Sequence, residues 1–302
     1  MIQTLIHILV LLVLPPLLLG VITKTKALFA GRRGAPLFQS YRDIAKLLRK
    51  GLVLSETTTW VFRAGPIVTL VAVALAALFV PFGSSPSPFS FAGDMILFAY
   101  LFALSRFFTT VAALDTGSAF EGMGSARELT FACLSEPALF FVFLALSRQT
   151  GSLSLGTMLG ASSGGISASL AAPLVLISLG LFVILLAETC RIPVDDPNTH
   201  LELTMIHEAM VLDHSGPLLG IIEYSASMKL LVLESLLLSL VLPFRTGSVW
   251  LDWGLFIAET LARAVVIGAI GSIMARLRLR RVPYLLTGAL LLCGSGFVLL
   301  VR

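Results

Sequence analysis

Charge is scarce in this chain: 13% of its 302 residues are charged and 57% are hydrophobic, with a mean hydropathy of +0.97. Soluble domains carry roughly a quarter charged residues, so an ordinary water-soluble globule is excluded. Cysteine is nearly absent. Cys133, Cys190 and Cys293 form no Cys-x-x-Cys pair, which excludes zinc, iron–sulfur or redox-disulfide spacing within this chain. Each lies in or beside an apolar stretch and reads as a small buried hydrophobe. No basic stretch precedes the first apolar segment; Lys24 and Lys26 follow it, so an uncleaved anchor with its N-terminus outside is expected. Gly122-x-Gly124 lacks the longer glycine pattern of a phosphate loop and reads as a tight turn. The net charge of +4 comes from basic residues gathered in two loops beside apolar spans, which is topology and not a nucleic-acid face.

Apolar segments of the ~20 residues that cross a bilayer fall at about 5–22, 66–82, 95–114, 129–147, 170–187, 226–244, 253–275 and 284–301. The fold class is therefore an all-α polytopic membrane protein of about eight spans, forming one membrane domain over 1–302. Loop 24–63 holds nine Lys and Arg residues, and the connection after the seventh span adds Arg276, Arg278, Arg280 and Arg281. Loop 83–94 has none, and 148–169 has only Arg148. The positive-inside rule puts the basic loops in the cytoplasm and both termini outside. The outward segments 83–90 and 150–168, rich in Ser, Pro and Gly, read as turn-rich linkers.

Chemistry concentrates in three cytoplasmic segments. In Gly31 to Gly51, the residues Phe38, Tyr41, Ile44, Ala45 and Leu48 recur at helical spacing, with Arg42, Lys46 and Arg49 on other faces. That is an amphipathic helix for the membrane surface or a docked partner. Asp115 to Glu128 brings Asp115, Glu121, Arg127 and Glu128 to the junction of two spans. Ala187 to Pro217 carries Glu188, Arg191, Asp195, Asp196, Glu202, Glu208, Asp213 and three histidines. Asp196-Pro197 is a good N-cap and first-turn pair, so a helix is expected from there to about Met210. His200 and His207, seven residues apart, sit about 10.5 Å apart along such a helix, too far to share a zinc ion. No metal site is expected, and these histidines read as hydrogen-bonding or titrating groups.

Arg106, Glu136, Lys229, Glu234, Glu259 and Arg263 fall inside apolar spans. Facing lipid, each costs on the order of 3 kcal/mol or more, so each should face the bundle or water. Glu259 and Arg263, four apart, suit a local ion pair. Glu136 has no basic neighbour at i±3 or i±4 and precedes Pro137, so it reads as an unpaired proton-relay carboxylate. Glu136, Glu188, Asp115, Arg106 and Lys229 are expected to approach one hydrated cluster open to the cytoplasm.

Several motifs carry a family resemblance. Ala187-Glu188-x-x-Arg191-x-Pro193-x-Asp195-x-Pro197 with Glu202, and Gly31-Arg32-Arg33-Gly34 with Gln39 and Asp43-x-x-Lys46-Leu47, resemble the quinone-chamber membrane subunit of respiratory complex I, subunit 1. Tyr41-Arg42-Asp43-Ile44-x-Lys46-Leu47, Leu114-Asp115-Thr116-Gly117-Ser118 and Gly124-Ser125-x-Arg127-Glu128 are similar to formate hydrogenlyase subunit 4 and its counterparts in group 4 membrane-bound NiFe-hydrogenases. Asn198 and His200 stand where complex I places acidic residues, which points away from a quinone chamber.

The resemblance implies a non-catalytic subunit in a bacterial or archaeal cytoplasmic membrane. It would anchor the hydrogenase large and small (iron–sulfur) subunits on the cytoplasmic face and pass their redox event to antiporter-like membrane subunits moving protons or sodium. The NiFe centre and iron–sulfur clusters would belong to those partners, with none in this chain. The relay expected here is Glu136, Glu188, Asp195, Glu202 and Glu208, with Asp115, Arg106 and Lys229. The surface expected to meet the redox arm is Arg32, Arg33, Arg42, Asp43, Lys46, Arg127, Glu128, Arg191, Asp196, His200, His207 and Asp213. The alternatives are a quinone-chamber subunit, which would bind quinone, and a free-standing ion transporter, for which no internal repeat is evident.

Overall fold

The computed structural model describes residues 2–83, 85–160, 168–195, 205–241 and 247–301. Among these, eight helices are long and apolar enough to cross a membrane: α1 (Ile2–Phe29), α3 (Trp60–Ala77), α4 (Asp94–Asp115), α5 (Ala119–Thr150), α7 (Ala168–Glu188), α9 (Gly216–Val241), α10 (Val249–Ile273) and α11 (Val282–Val301). Each matches one expected span. Three shorter α-helices lie between them, α2 (Gln39–Arg49), α6 (Leu155–Gly160) and α8 (His207–Met210), with a 3-10 turn at Leu279–Arg281. The chain is thus all-helical among the described residues, as the apolar periodicity requires.

Lipid leaves no hydrophobic gain for pressing helices together, so close approach depends on small residues. Gly268 lets α10 meet α1, where an added Cβ would lie 2.7 Å from the Thr25 Cβ. Gly180 and Gly296 do the same between α7 and α11, against Cys293 and Ile177. The main apolar core runs through α1, α3, α4, α5, α7, α9, α10 and α11, with Leu18, Phe98, Phe143, Ile177 and Leu231 fully enclosed.

The first span needs external support. Pro15 and Pro16 lie inside α1, and each removes an N–H from the helical ladder, freeing a carbonyl four residues earlier. The Leu12 carbonyl, freed by Pro16, accepts from the Tyr224 hydroxyl of α9 at 2.8 Å. The Tyr41 hydroxyl of α2 donates to the neighbouring Val13 carbonyl. The expected amphipathic helix is therefore α2, and it is held against α1 and α9.

Three expectations change. The 150–168 linker contains α6, whose Leu155 N donates to Asp94 at 2.6 Å while Ser154 Oγ donates to the same carboxylate at 3.0 Å. Gly122 and Gly124 are helical, within the first turns of α5. A Cβ on Gly124 would come within 2.9 Å of the Ala209 Cβ and 3.0 Å of the Ile206 carbonyl, so glycine serves close packing there and not a turn. The helix expected from Asp196 to Met210 is not continuous: Met205 and Ile206 are non-helical, and only α8 follows. Residues 196–204, including Asp196, His200 and Glu202, lie outside the described residues.

Candidate functional site

Five charged side chains from four helices converge inside the bundle, beside the end of α7. Arg106 of α4 is central, with its side chain 8% exposed. Its Nη2 donates to Glu188 Oε1 at 2.5 Å, its Nε to Glu128 Oε1 at 3.3 Å, and its Nη1 to Glu136. Glu188, the last residue of α7, also accepts from Lys229 Nζ of α9 at 2.8 Å and from Ser135 Oγ of α5 at 2.7 Å. Lys229 Nζ further lies 5.6 Å from the Phe102 ring centroid, a cation–π contact.

The balance is three carboxylates against two cations. A buried carboxylate is tolerated when donors surround it, and Glu188 has three. The extra negative charge rests with Glu128 and Glu136, whose side chains are 20% and 44% exposed. Glu136 is thus not the unpaired carboxylate that its own helix suggests; its partner comes from α4. The cluster runs from Lys229 and Glu188 through Arg106 to Glu136 at the edge of the bundle.

This cluster forms one wall of a cavity of about 500 Å³. Arg106, Glu128, Glu188 and Lys229 line it, as do Asp43 of α2, Arg191, His207, Glu208, His214 and Glu223. Leu19, Gly20, Pro66, Val73 and Ile222 supply apolar wall. The site is therefore a mixed chamber, lined by α1, α2, α3, α4, α9 and by residues 189–191 and 207–214.

The rim is held by a second set of bonds. Asp195 is 1% exposed; it accepts from Arg276 Nη2 at 2.5 Å and from the Ile206 and His207 amides at 3.2 Å each. Arg127 Nη1 donates to the Met205 carbonyl at 2.7 Å, and the Asp213 amide donates to buried Glu121 at 3.1 Å. The start of α5 thereby clasps the 205–213 stretch. Burial, then the nearby Glu223 and Asp195 carboxylates, push the Glu208 carboxyl up to about 7. His214 stacks on Phe62 with centroids 3.9 Å apart; burial pushes its imidazole down to about 4. Burial also raises the Cys190 thiol well above its ordinary value, so this cavity-lining cysteine is a poor nucleophile.

The expected relay is thus divided. Glu136, Glu188, Arg106 and Lys229 form one cluster, joined by Glu128, a residue expected from the resemblance on the partner surface. Asp195 belongs to the rim clasp. Asp115 is apart: it accepts from the Thr59 amide at 2.7 Å, the Thr59 hydroxyl and the Phe62 amide, capping α3. Nine residues from Arg106 on the same helix, it is about 13.5 Å away along the axis. Arg32, Arg33, Arg42, Asp43 and Lys46 are exposed, and Gln39 Nε2 donates to Asp43 at 2.8 Å. Glu259 and Arg263 form no ion pair within 4 Å among the described residues; Arg263 Nε and Nη2 have no hydrogen-bond partner. Ser135, Glu121 and Arg276 were not singled out from sequence for these roles. Arg276 sits in an arginine run that reads as topology, and Ser135 has no signal at all.

Residues 2–301 match the NADH dehydrogenase family. Among curated proteins, the chain is 34% identical over 235 residues to hydrogenase-4 component C of Escherichia coli (strain K12), covering 78% of this chain and 73% of that one. It is 32% identical over 286 residues to formate hydrogenlyase subunit 4 of the same organism, covering 92% of each. Its fold matches a chain in the structure of the membrane-bound sulfane sulfur reductase, an archaeal respiratory membrane complex, with a TM-score of 0.83, 21% identity and coverage of 99% and 98%.

Proposed function

Because this chain belongs to the NADH dehydrogenase family, that of complex I subunit 1, we propose that it is a membrane anchoring and coupling subunit of a NiFe-hydrogenase-type complex. The observation that carries this reading is the cavity wall formed by Lys229, Glu188, Arg106 and Glu128, continued by Glu136 to the bundle edge. A change of charge or contact at the rim can alter which carboxylate Arg106 pairs with, and so release or take up a proton at Glu136. The chain itself performs no catalytic step. The identity to hydrogenase-4 component C and formate hydrogenlyase subunit 4 supports a hydrogenase-type assembly.

In this reading the cytoplasmic face, with Arg32, Arg33, Arg42, Lys46, Arg191 and Asp213, meets hydrogenase large and small subunits that carry the NiFe centre and iron–sulfur clusters. Antiporter-like subunits lie beside the bundle and move protons or sodium. Both termini face outward from a bacterial or archaeal cytoplasmic membrane, because the basic loops stay inside. Affinity purification of the tagged chain, with mass spectrometry and nickel analysis, tests the assignment. Nickel and hydrogenase subunits with hydrogen turnover are expected; a partner set without them, or transport by the isolated chain, overturns it.

One observation favours a second reading. A cavity of about 500 Å³ with apolar walls and a polar end is of the size that holds small organic ligands, and a quinone head has that chemistry. Quinone retained in the purified complex, with turnover stopped by quinone-site blockers, would favour that reading over the first.

A further inference from the structure

Beside the main cavity lies a much smaller one of about 20 Å³. Glu128, Glu188 and Cys190 line both cavities, so these three side chains form the partition between them. Asp195 of the rim clasp and Ser135 of α5 also line the small cavity, which is closed by apolar residues that include Ala132 of α5. Two separately held sets of carboxylates therefore border one gap. Glu128 and Glu188 are held by Arg106 and Lys229, and Asp195 is held by Arg276.

A gap of this volume has room for a single water. Cavities that stay dry are apolar, whereas a buried water needs about two to four polar partners. Here the partners are acceptors in search of a donor. Glu188 accepts from Arg106, Lys229 and Ser135, and a carboxylate has about four acceptor sites, so one remains. Glu128 Oε1 accepts from Arg106 Nε, and no described residue donates to its Oε2. The Ser135 hydroxyl has given its hydrogen to Glu188, so it can only accept. Ionised carboxylates accept and never donate, so neither set can reach the other directly. Water supplies two donors, one for each side. The Cys190 thiol, which burial keeps protonated, is a weak donor to the water oxygen.

We infer that the small cavity is a binding site for one ordered water, which donates one hydrogen to Asp195 and the other to the Glu128–Glu188 side. The water joins the two sets into one hydrogen-bonded network. That network runs from Lys229 on the main cavity wall through Glu188 and the water to Asp195, and from there to Arg276 and to the Ile206 and His207 amides. The rim stretch at 206–207 is thereby tied to the charge state of the main cavity wall. Only the use of this network in coupling rests on the function proposed above.

The test uses the full chain as it purifies, in lipid nanodiscs with any subunits that accompany it. Electron cryo-microscopy at a resolution that shows ordered water should place one oxygen in the small cavity, within hydrogen-bond distance of Asp195 and of Glu128 or Glu188. Hydrogen exchange at the Ile206 and His207 amides, which donate to Asp195, gives a second readout. Ala132→Val fills the cavity from α5 and should speed that exchange severalfold, because Asp195 loses a donor. Ala132→Thr has the same shape but brings a hydroxyl to the place of the water, and should exchange at close to the wild-type rate. An empty cavity in the wild type, or an oxygen that touches only one of the two sets, overturns the inference. So do equal exchange rates in the Val and Thr variants, since added volume alone would then explain the change. Should Ala132→Val fail to fold, the wild-type density still decides. None of these readouts involves nickel, hydrogen turnover or transport, so the water site and the hydrogenase-type assignment can fail independently.

Discussion

Arg106 Nη2 lies 2.5 Å from Glu188 Oε1, joining α4 to α7 across 82 residues of sequence. The same carboxylate holds Lys229 at 2.8 Å, so one acid keeps two intramembrane cations in place. Glu188→Gln retains the side-chain shape and the Ser135 hydrogen bond but removes the anion. The expected result is a complex that assembles and loses at least about tenfold in ion-linked turnover, since a tenfold change needs only ~1.4 kcal/mol and a broken buried pair costs ~3–5 kcal/mol. Native gels check assembly; ion uptake in vesicles checks coupling. Wild-type pumping by this variant would remove Glu188 from the relay.

Glu208 and His214 give opposing pH dependences. Glu208 is raised to about 7, so it stays protonated in the fold where the unfolded chain ionises. Its stabilising contribution is complete below ~4.5 and is lost as pH rises through 7. His214 is lowered to about 4, so the unfolded chain takes up its proton first; this contribution is present above ~6.5 and lost as pH falls towards 4. In the wild type the two slopes offset each other between pH 4.5 and 6.5. Glu208→Gln should unmask stability that rises with pH across that window, and His214→Phe, which keeps the stack on Phe62, should unmask stability that falls. Thermal melts at several pH values in detergent decide it; parallel curves for all three proteins would refute the assignment.

The Asp195–Arg276 bond is the tie most exposed to a double-mutant test. Arg276→Met removes the guanidinium from a carboxylate that is 1% exposed, and should destabilise the chain by about 3 kcal/mol, with faster proteolysis in the 205–215 stretch. Asp195→Asn alone should cost less, because the amide oxygen still accepts from the Ile206 and His207 amides. The double variant should be more stable than Arg276→Met alone. Additive losses in the two singles would mean that the pair is not coupled.

The eight spans were legible because hydropathy over about 20 residues is a local property, and α2 was legible from helical periodicity in the run Phe38 to Leu48. The charge cluster was only half legible. Its members stood out as ionisable groups in apolar stretches, but their pairing depends on which helices meet. Sequence offsets within α5 offered Glu136 no cation, whereas Arg106 reaches it from α4. The reverse error occurred at Glu259 and Arg263, where suitable i, i+4 spacing did not give a bond. Asp115 looked like a relay acid because it is an acid near the others along the chain; the free amides at the start of α3 claim it instead. Arg276 was hidden among arginines whose spacing reports membrane orientation.

Gly20 lines the cavity where α1 meets the chain entering α2. A Cβ there would fall 2.0 Å from the Leu37 carbonyl oxygen, and a backbone oxygen cannot turn aside as a side chain can. Gly20→Ala must therefore push the 35–38 stretch away from α1, and with it α2, whose Tyr41 hydroxyl supports the Val13 carbonyl beside the two prolines. The expected outcome is a lower melting temperature, by several degrees for a cost of about 1–3 kcal/mol, with poorer recovery of partner subunits, since α2 carries Arg42, Asp43 and Lys46 of the proposed docking face. Gly254→Ala, at an α10 position where nothing lies within 4 Å of an added Cβ, is the control and should melt no lower than wild type. Equal melting temperatures and partner recovery for the two variants would show that α2 is not seated through Gly20.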